Sequence, residues 1–170
     1  MKLFESFRPI TVSSVSVNGQ TAGIIVMSSS KPLIVDVGAQ SQNTPSSFAE
    51  RERGNVSWHT LLSSPGTKTT SLTAGIATCP PQGTLALHRH KQAELYYILS
   101  GSGEVEVEGQ RYPVSKNNLV WIPGDAEHGV FCNDNELSWL YVFPEDSFDN
   151  IVYRFTSEVK GLAGKIKPNL

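Results

Sequence analysis

Little in this 170-residue chain points to a highly charged or membrane-bound partner. Its 14 Lys plus Arg against 16 Asp plus Glu leave a net charge of −2, and no cluster of Lys or Arg exceeds a dipeptide. Nucleic acid and membrane are therefore not expected as partners. No apolar run approaches the roughly 18 residues of a spanning helix. Residues 1–30 lack the charged start and continuous apolar core of a signal peptide. Cysteine is scarce: Cys79 and Cys132 stand apart, with no C-x-x-C pair. That argues against a disulfide framework and for a reducing, cytoplasmic setting, although two cysteines are enough to pair. Internal repeats, low-complexity tracts and long helical patterns are also missing.

What is present is a succession of short β signals in a chain of single-domain length, long enough for a full core. Residues 15–17 and 24–27 flank Asn18-Gly19, the pattern of a hairpin around a tight turn. Residues 33–37 form a short β-branched run, and 38–47, rich in Gln, Ser, Asn and Pro, read as a loop. Ser46 or Ser47 is placed to cap a short helical turn through 50–52. Strands are expected over 58–62 and 72–77, separated by a turn at 63–67, and 80–83 make a corner. Residues 104–108 alternate charge and valine, turn at Gly109 and return through 111–114. The run 119–122 ends at Pro123-Gly124, and 137–143 alternates Trp139, Tyr141 and Phe143 against Leu140 and Val142. Turns and strands at this spacing indicate an all-β sandwich or barrel. Its expected apolar core includes Ile98, Val120 and Val142.

The chain has four histidines, and three of them fall into one pattern: His88-Arg89-His90, then Glu94, then His128. On a strand, alternate side chains share a face, so His88 and His90 project together about 6–7 Å apart, and Arg89 does not. Lys91, Gln92 and Ala93 can make a turn, after which Glu94 on the returning strand aims back at the imidazoles. A half-exposed strand with two polar side chains accounts for a lone His-X-His. It does not account for a third histidine in the same frame and a carboxylate in register. Three imidazole nitrogens and one carboxylate suit one divalent transition metal: Fe, Mn, Ni, Co or Zn. His59, beside Trp58, reads as a solvated or hydrogen-bonded side chain rather than a ligand.

Gly83, His88, His90, Glu94 and Gly101 resemble the first cupin motif, with the leading glycine one residue closer than usual. Pro123, Gly124 and His128 resemble the second. Asp125 stands where that family has glycine, Asn133 lies one place beyond the usual asparagine, and Asn117 occupies a turn-glycine position. The resemblance covers roughly residues 71–145 and implies a double-stranded β-helix, the cupin jelly-roll barrel, with an N-terminal β extension. On that reading residues 1–55 are strands and loop packing on the barrel, 56–157 the barrel itself, and 158–170 a C-terminal tail. His88, His90, Glu94 and His128 take the ligand positions, and the N-terminal arm implies a homodimer.

Tyr96 shares the face of Glu94, so its phenol is expected in the cavity near the ion. A cation can stabilise the phenolate and make Tyr96 a base; packing in the barrel is the alternative. Cys132 shares the parity of His128 and reads foremost as a small buried filler. Three functions follow for a small-molecule substrate. The foremost is a metal-dependent oxidoreductase, dioxygenase-like, tailoring a phenolic, polyketide or other secondary-metabolite intermediate. Next is a non-redox lyase or isomerase with Tyr96 as base, similar to cupin dimethylsulfoniopropionate lyases. The third is a small-ligand-binding cupin without catalysis.

Overall fold

The computed structural model describes residues 12–17, 20–25 and 32–163. Two compact units divide the chain between Ile34 and Val35. In the first, β1 (Val12–Val17) and β2 (Gln20–Ile25) pair antiparallel with Val17 opposite Gln20. That register leaves two residues for the connection, and the expected Asn18-Gly19 turn lies outside the described residues, as do 26 and 27.

The second unit is an antiparallel sheet curled on itself. In chain order it contains α1 (Val37–Gln40), β3 (Ser46–Ser47), β4 (Ser57–Leu62), β5 (Thr73–Cys79), β6 (Thr84–Arg89), β7 (Glu94–Val107) and β8 (Gln110–Ser115). β9 (Leu119–Ile122), β10 (His128–Phe131), β11 (Leu137–Phe143), β12 (Arg154–Phe155) and α2 (Thr156–Ala163) complete it. The strand order is β12-β6-β10-β7-β11-β5-β4-β3, with β8 and β9 also on β7. This is the double-stranded β-helix that the sequence motifs imply.

β7 is the hub. Its first half pairs with β9 and β11, and its second half with β8 and β10. The two expected strands on either side of Gly101 are thus one 14-residue strand. Gly101, at φ +78°, bends it from one set of partners to the other. Alternation sets the inward face: along β11, Leu137, Trp139, Tyr141 and Phe143 are buried while the residues between them are not. Ile98, Val105, Ile122, Val130, Leu137 and Phe143 are fully buried and form the apolar centre. Ile98 meets its expected place and Val120 packs at the margin of this cluster. Val142 does not belong to it, because it lies on the opposite parity to Tyr141 and Phe143.

Two other local expectations are corrected. Residues 33–37 form no strand: Leu33 and Ile34 are exposed, and Asp36 instead caps α1, accepting from the Ala39 N–H at 3.0 Å. Ser46 and Ser47 do not cap a helix; they pair with Trp58 and Ser57, and the single turn at Arg51–Arg53 begins without a side-chain cap. Departures from glycine in the second motif cost little, since Asn117 (φ 73°) and Asp125 (φ 61°) adopt the left-handed conformation themselves.

Two glycines at the same φ of +78° separate backbone strain from crowding. A Cβ at Gly109 meets nothing within 4 Å, whereas one at Gly101 collides with the Glu136 carbonyl. Gly109→Ala is expected to cost about 1 kcal/mol, the strain alone. Gly101→Ala is expected to cost about 3 kcal/mol or more. Urea denaturation of the pair checks this; equal losses would mean that Gly101 is not a steric hinge.

Candidate metal centre

β6 and the turn after it place His88 and His90 on the inner face, with Arg89 between them pointing out. Both histidines are buried, as are Glu94 at the start of β7 and His128 at the start of β10. Residues far apart in sequence meet because His128 is the antiparallel partner of His88, which brings their ring centroids to 4.2 Å. Arg89 instead makes an outer ion pair with Glu108 at 2.8 Å.

Each imidazole is fixed by one backbone contact. His88 Nδ1 lies 2.8 Å from the Ala86 carbonyl oxygen, His90 Nδ1 2.9 Å from that of Gln92, and His128 Nδ1 2.9 Å from that of Ala126. A carbonyl oxygen only accepts, so Nδ1 carries a hydrogen in all three rings, and a ring without a second proton turns its Nε2 lone pair inward. The ligand atoms of the three rings lie within 4.8 Å of one another. Glu94 Oε2 stands 3.3 Å from His90 Nε2 and 3.2 Å from His128 Nε2. His88 Nε2 is buried with no hydrogen-bond partner in the structure.

Such a set of converging lone pairs is repulsive unless a cation or a proton lies among them. The orphaned His88 nitrogen and the N₃O donor set therefore fit a divalent transition ion. Burial, then the neighbouring His128, pushes His88 well below its usual range. Burial alone would raise Glu94, but in the metal-free site a proton held between its carboxylate and His128 or His90 outweighs burial and keeps the carboxyl down.

Beside the donors lies a small aromatic cavity of about 20 Å³, the room of roughly one water. Glu94, Tyr96 and Tyr153 line it with Trp58, Trp139 and Phe148. Tyr96 is buried against Trp139, ring centroids 5.4 Å apart, and burial followed by the Glu94 charge pushes its phenol well above 10. Tyr153 was not singled out from the sequence. It stacks on His88 at 4.8 Å, and burial raises its phenol too. The available signal was the alternation of Ile151, Tyr153 and Phe155, all apolar or aromatic on one parity.

The remaining candidates lie elsewhere. Cys132 is a buried core residue outside the cavity lining. Its thiol contacts that of Cys79, which this contact and burial push far up. His59 is half-buried on the parity opposite to Trp58 and takes no part in the cluster.

The titrations give a pH dependence for the metal-free protein. His88 refuses a proton that the unfolded chain accepts below about 6.5, so its contribution to stability fades as pH falls through that value. Glu94, depressed in the fold, contributes above the ordinary carboxylate value and loses that contribution as pH falls through its folded one. Both act in one direction. The urea midpoint of chelator-treated protein should fall from about pH 7.5 to pH 5, and the His88→Gln variant should flatten the upper part of that fall. A flat or rising midpoint in the wild type would contradict the buried, neutral His88.

Comparison with known proteins agrees with this geometry. The cupin-domain family model matches residues 75–143. The dimethylsulfoniopropionate lyase DddW of Ruegeria pomeroyi is 38% identical over 104 residues, 61% of this chain and 68% of that enzyme. The 5-nitrosalicylic acid 1,2-dioxygenase of a Bradyrhizobium species is 30% identical over 74 residues, 44% of this chain but 36% of that one. Among solved structures, the polyketide cyclase RemF from Streptomyces resistomycificus superposes with a TM-score of 0.59 at 17% identity, covering 69% of this chain and 82% of its own. A cupin 2 conserved barrel domain protein from Rhodopseudomonas palustris gives 0.55 at 22%, covering 71% and 82%. These two likenesses speak for the fold alone. With both motifs, the barrel topology and a curated relative matched over two thirds of its length, the chain belongs to the cupin superfamily.

Proposed function

We propose that the protein is a metal-dependent cupin lyase in which His88, His90, Glu94 and His128 hold one divalent ion and Tyr96 serves as base. The observation that carries this reading is a carboxylate and two buried phenols, Glu94, Tyr96 and Tyr153, lining one aromatic cavity beside three converging imidazoles. The substrate class is a small carboxylate with an onium leaving group β to it, of which dimethylsulfoniopropionate, the substrate named for the DddW relative, is the first to test.

Aromatic faces from Trp58, Trp139 and Phe148 offer the cation–π surface that a sulfonium needs, and the cavity carries no competing Lys or Arg. A bound divalent ion supplies a Lewis acid for the substrate carboxylate and a positive charge that favours the Tyr96 phenolate. Tyr96 takes the proton α to the carboxylate. The electron pair of the broken C–H bond forms the carbon–carbon double bond as the C–S pair leaves with sulfur, giving a neutral sulfide, an unsaturated carboxylate and a protonated Tyr96. The Nδ1 bonds to Ala86, Gln92 and Ala126 keep the imidazoles from swinging toward the substrate. The closed aromatic wall excludes water from the carbanion-like transition state.

The oxidoreductase reading foremost in the sequence is supported by the same donor set and by the dioxygenase relative. It differs in needing oxygen, and it leaves Tyr96 without a proton to remove.

Tyr96→Phe removes the hydroxyl and keeps the ring. At matched metal occupancy it should lower kcat for sulfide release by roughly 10²–10⁴-fold, in air and under argon alike. Headspace gas chromatography and an oxygen electrode read both quantities. A nearly unchanged kcat with substrate-dependent oxygen uptake would eliminate the lyase and favour the dioxygenase.

A further inference from the structure

The cavity admits about one water, so a larger ligand enters only if the wall moves. Trp58, Tyr96 and Trp139 are fixed in the ladders of β4, β7 and β11. Phe148 and Tyr153 belong instead to the connection between β11 and β12. Beyond the packing of Phe148 and Ile151, that connection is tied to the barrel by a small set of polar contacts. The Ser64 N–H donates to the Asp146 carbonyl at 2.7 Å, and the Phe148 N–H to Ser63 Oγ at 2.9 Å. The other tie comes from Gln92, whose Nε2 donates to Glu145 Oε2 at 3.1 Å and to the Asn150 carbonyl at 3.4 Å. Asn150 Nδ2 closes the ring on Glu145 Oε1 at 3.0 Å.

Gln92 therefore grips both ends of the segment that carries Phe148. The same residue's main-chain oxygen accepts the Nδ1–H of His90. Its Oε1 is buried without a partner, so the amide sits where only its donor side is used. An apolar side chain would relieve that orphan, which means that stability alone does not select glutamine here.

Resting on the metal-centre reading above, we infer that Gln92 is a positioning residue that couples the aromatic wall to the metal centre. Its side chain latches the 145–150 strap shut while its carbonyl sets the ring of His90, so opening for ligand entry loosens one metal-binding imidazole. The Ser63 and Ser64 contacts act as the strap's other anchor and have no path to His90.

Hydrogen exchange on the strap amides 146–151 and the rate at which a chelator strips cobalt from the loaded protein test this. Gln92→Met should raise strap exchange and the stripping rate each by roughly tenfold or more, with Tm within about 3 °C of wild type. Ser63→Ala should raise strap exchange and leave stripping unchanged. Unaltered strap exchange in Gln92→Met would overturn the latch. Unaltered stripping in that variant, or equal acceleration by Ser63→Ala, would overturn the coupling. A chain that takes up no cobalt would sink the metal-centre reading separately. In that case the ¹⁵N shifts of the His90 ring replace the chelator, moving in Gln92→Met if the coupling holds and staying fixed if it does not.

Discussion

The site depends on three short hydrogen bonds, each from a histidine Nδ1 to a backbone carbonyl two residues away. They determine which nitrogen of each ring carries the hydrogen. The Nε2 lone pairs of His88, His90 and His128 consequently converge with the Glu94 carboxylate in a buried space. Without these bonds the rings could rotate and offer N–H groups to Glu94, forming an ordinary buried polar cluster. With them, the cluster carries an electrostatic debt that a cation cancels. The carbonyls come from β6, the turn after it and the residues before β10, so the backbone of the barrel itself sets the ring tautomers.

The barrel supports this arrangement with a continuous apolar centre beside it. Ile98, Val105, Val130 and Leu137 are buried on β7, β10 and β11, and Phe143 joins this base to the site by meeting the His90 ring at 5.1 Å. β7 links the two regions: its first residue is Glu94, Tyr96 and Ile98 follow on the same face, and beyond Gly101 it runs beside the strand that presents His128. A rigid apolar base thus supports donors held at one end of the same strand. The wall over them is aromatic and partly built from a connection rather than a strand. Its Phe148 and Tyr153, like Phe48 across the cavity, therefore lie outside the ladder hydrogen bonds.

Much of this was legible in the sequence because it is periodic. His88 and His90 share a face through the two-residue repeat of a strand, and the same repeat orders Trp139, Tyr141 and Phe143 inward. Turn chemistry placed Gly109 and the corner before β6. The residues that escaped notice are those whose role depends on tertiary contact. Tyr153 lies 25 positions after His128 in a short edge segment, and only folding stacks it on His88. Phe148 sits on a single helical turn with no pattern around it. Residues 33–37 misled for the opposite reason: strong β propensity found no partner strand among the described residues, and Asp36 capped a helical turn instead. Val142 misled by parity, since an apolar residue on the outer face of a sheet looks the same in sequence as a core one.

X-ray absorption at the metal K-edge, on protein purified without added metal, tests the central claim most directly. A single divalent site with imidazole scattering from three rings and at least one oxygen donor, at about 2.0–2.3 Å, is the predicted result. A protein that carries no stoichiometric metal and takes none up, or an ion whose spectrum lacks imidazole scattering, would contradict it.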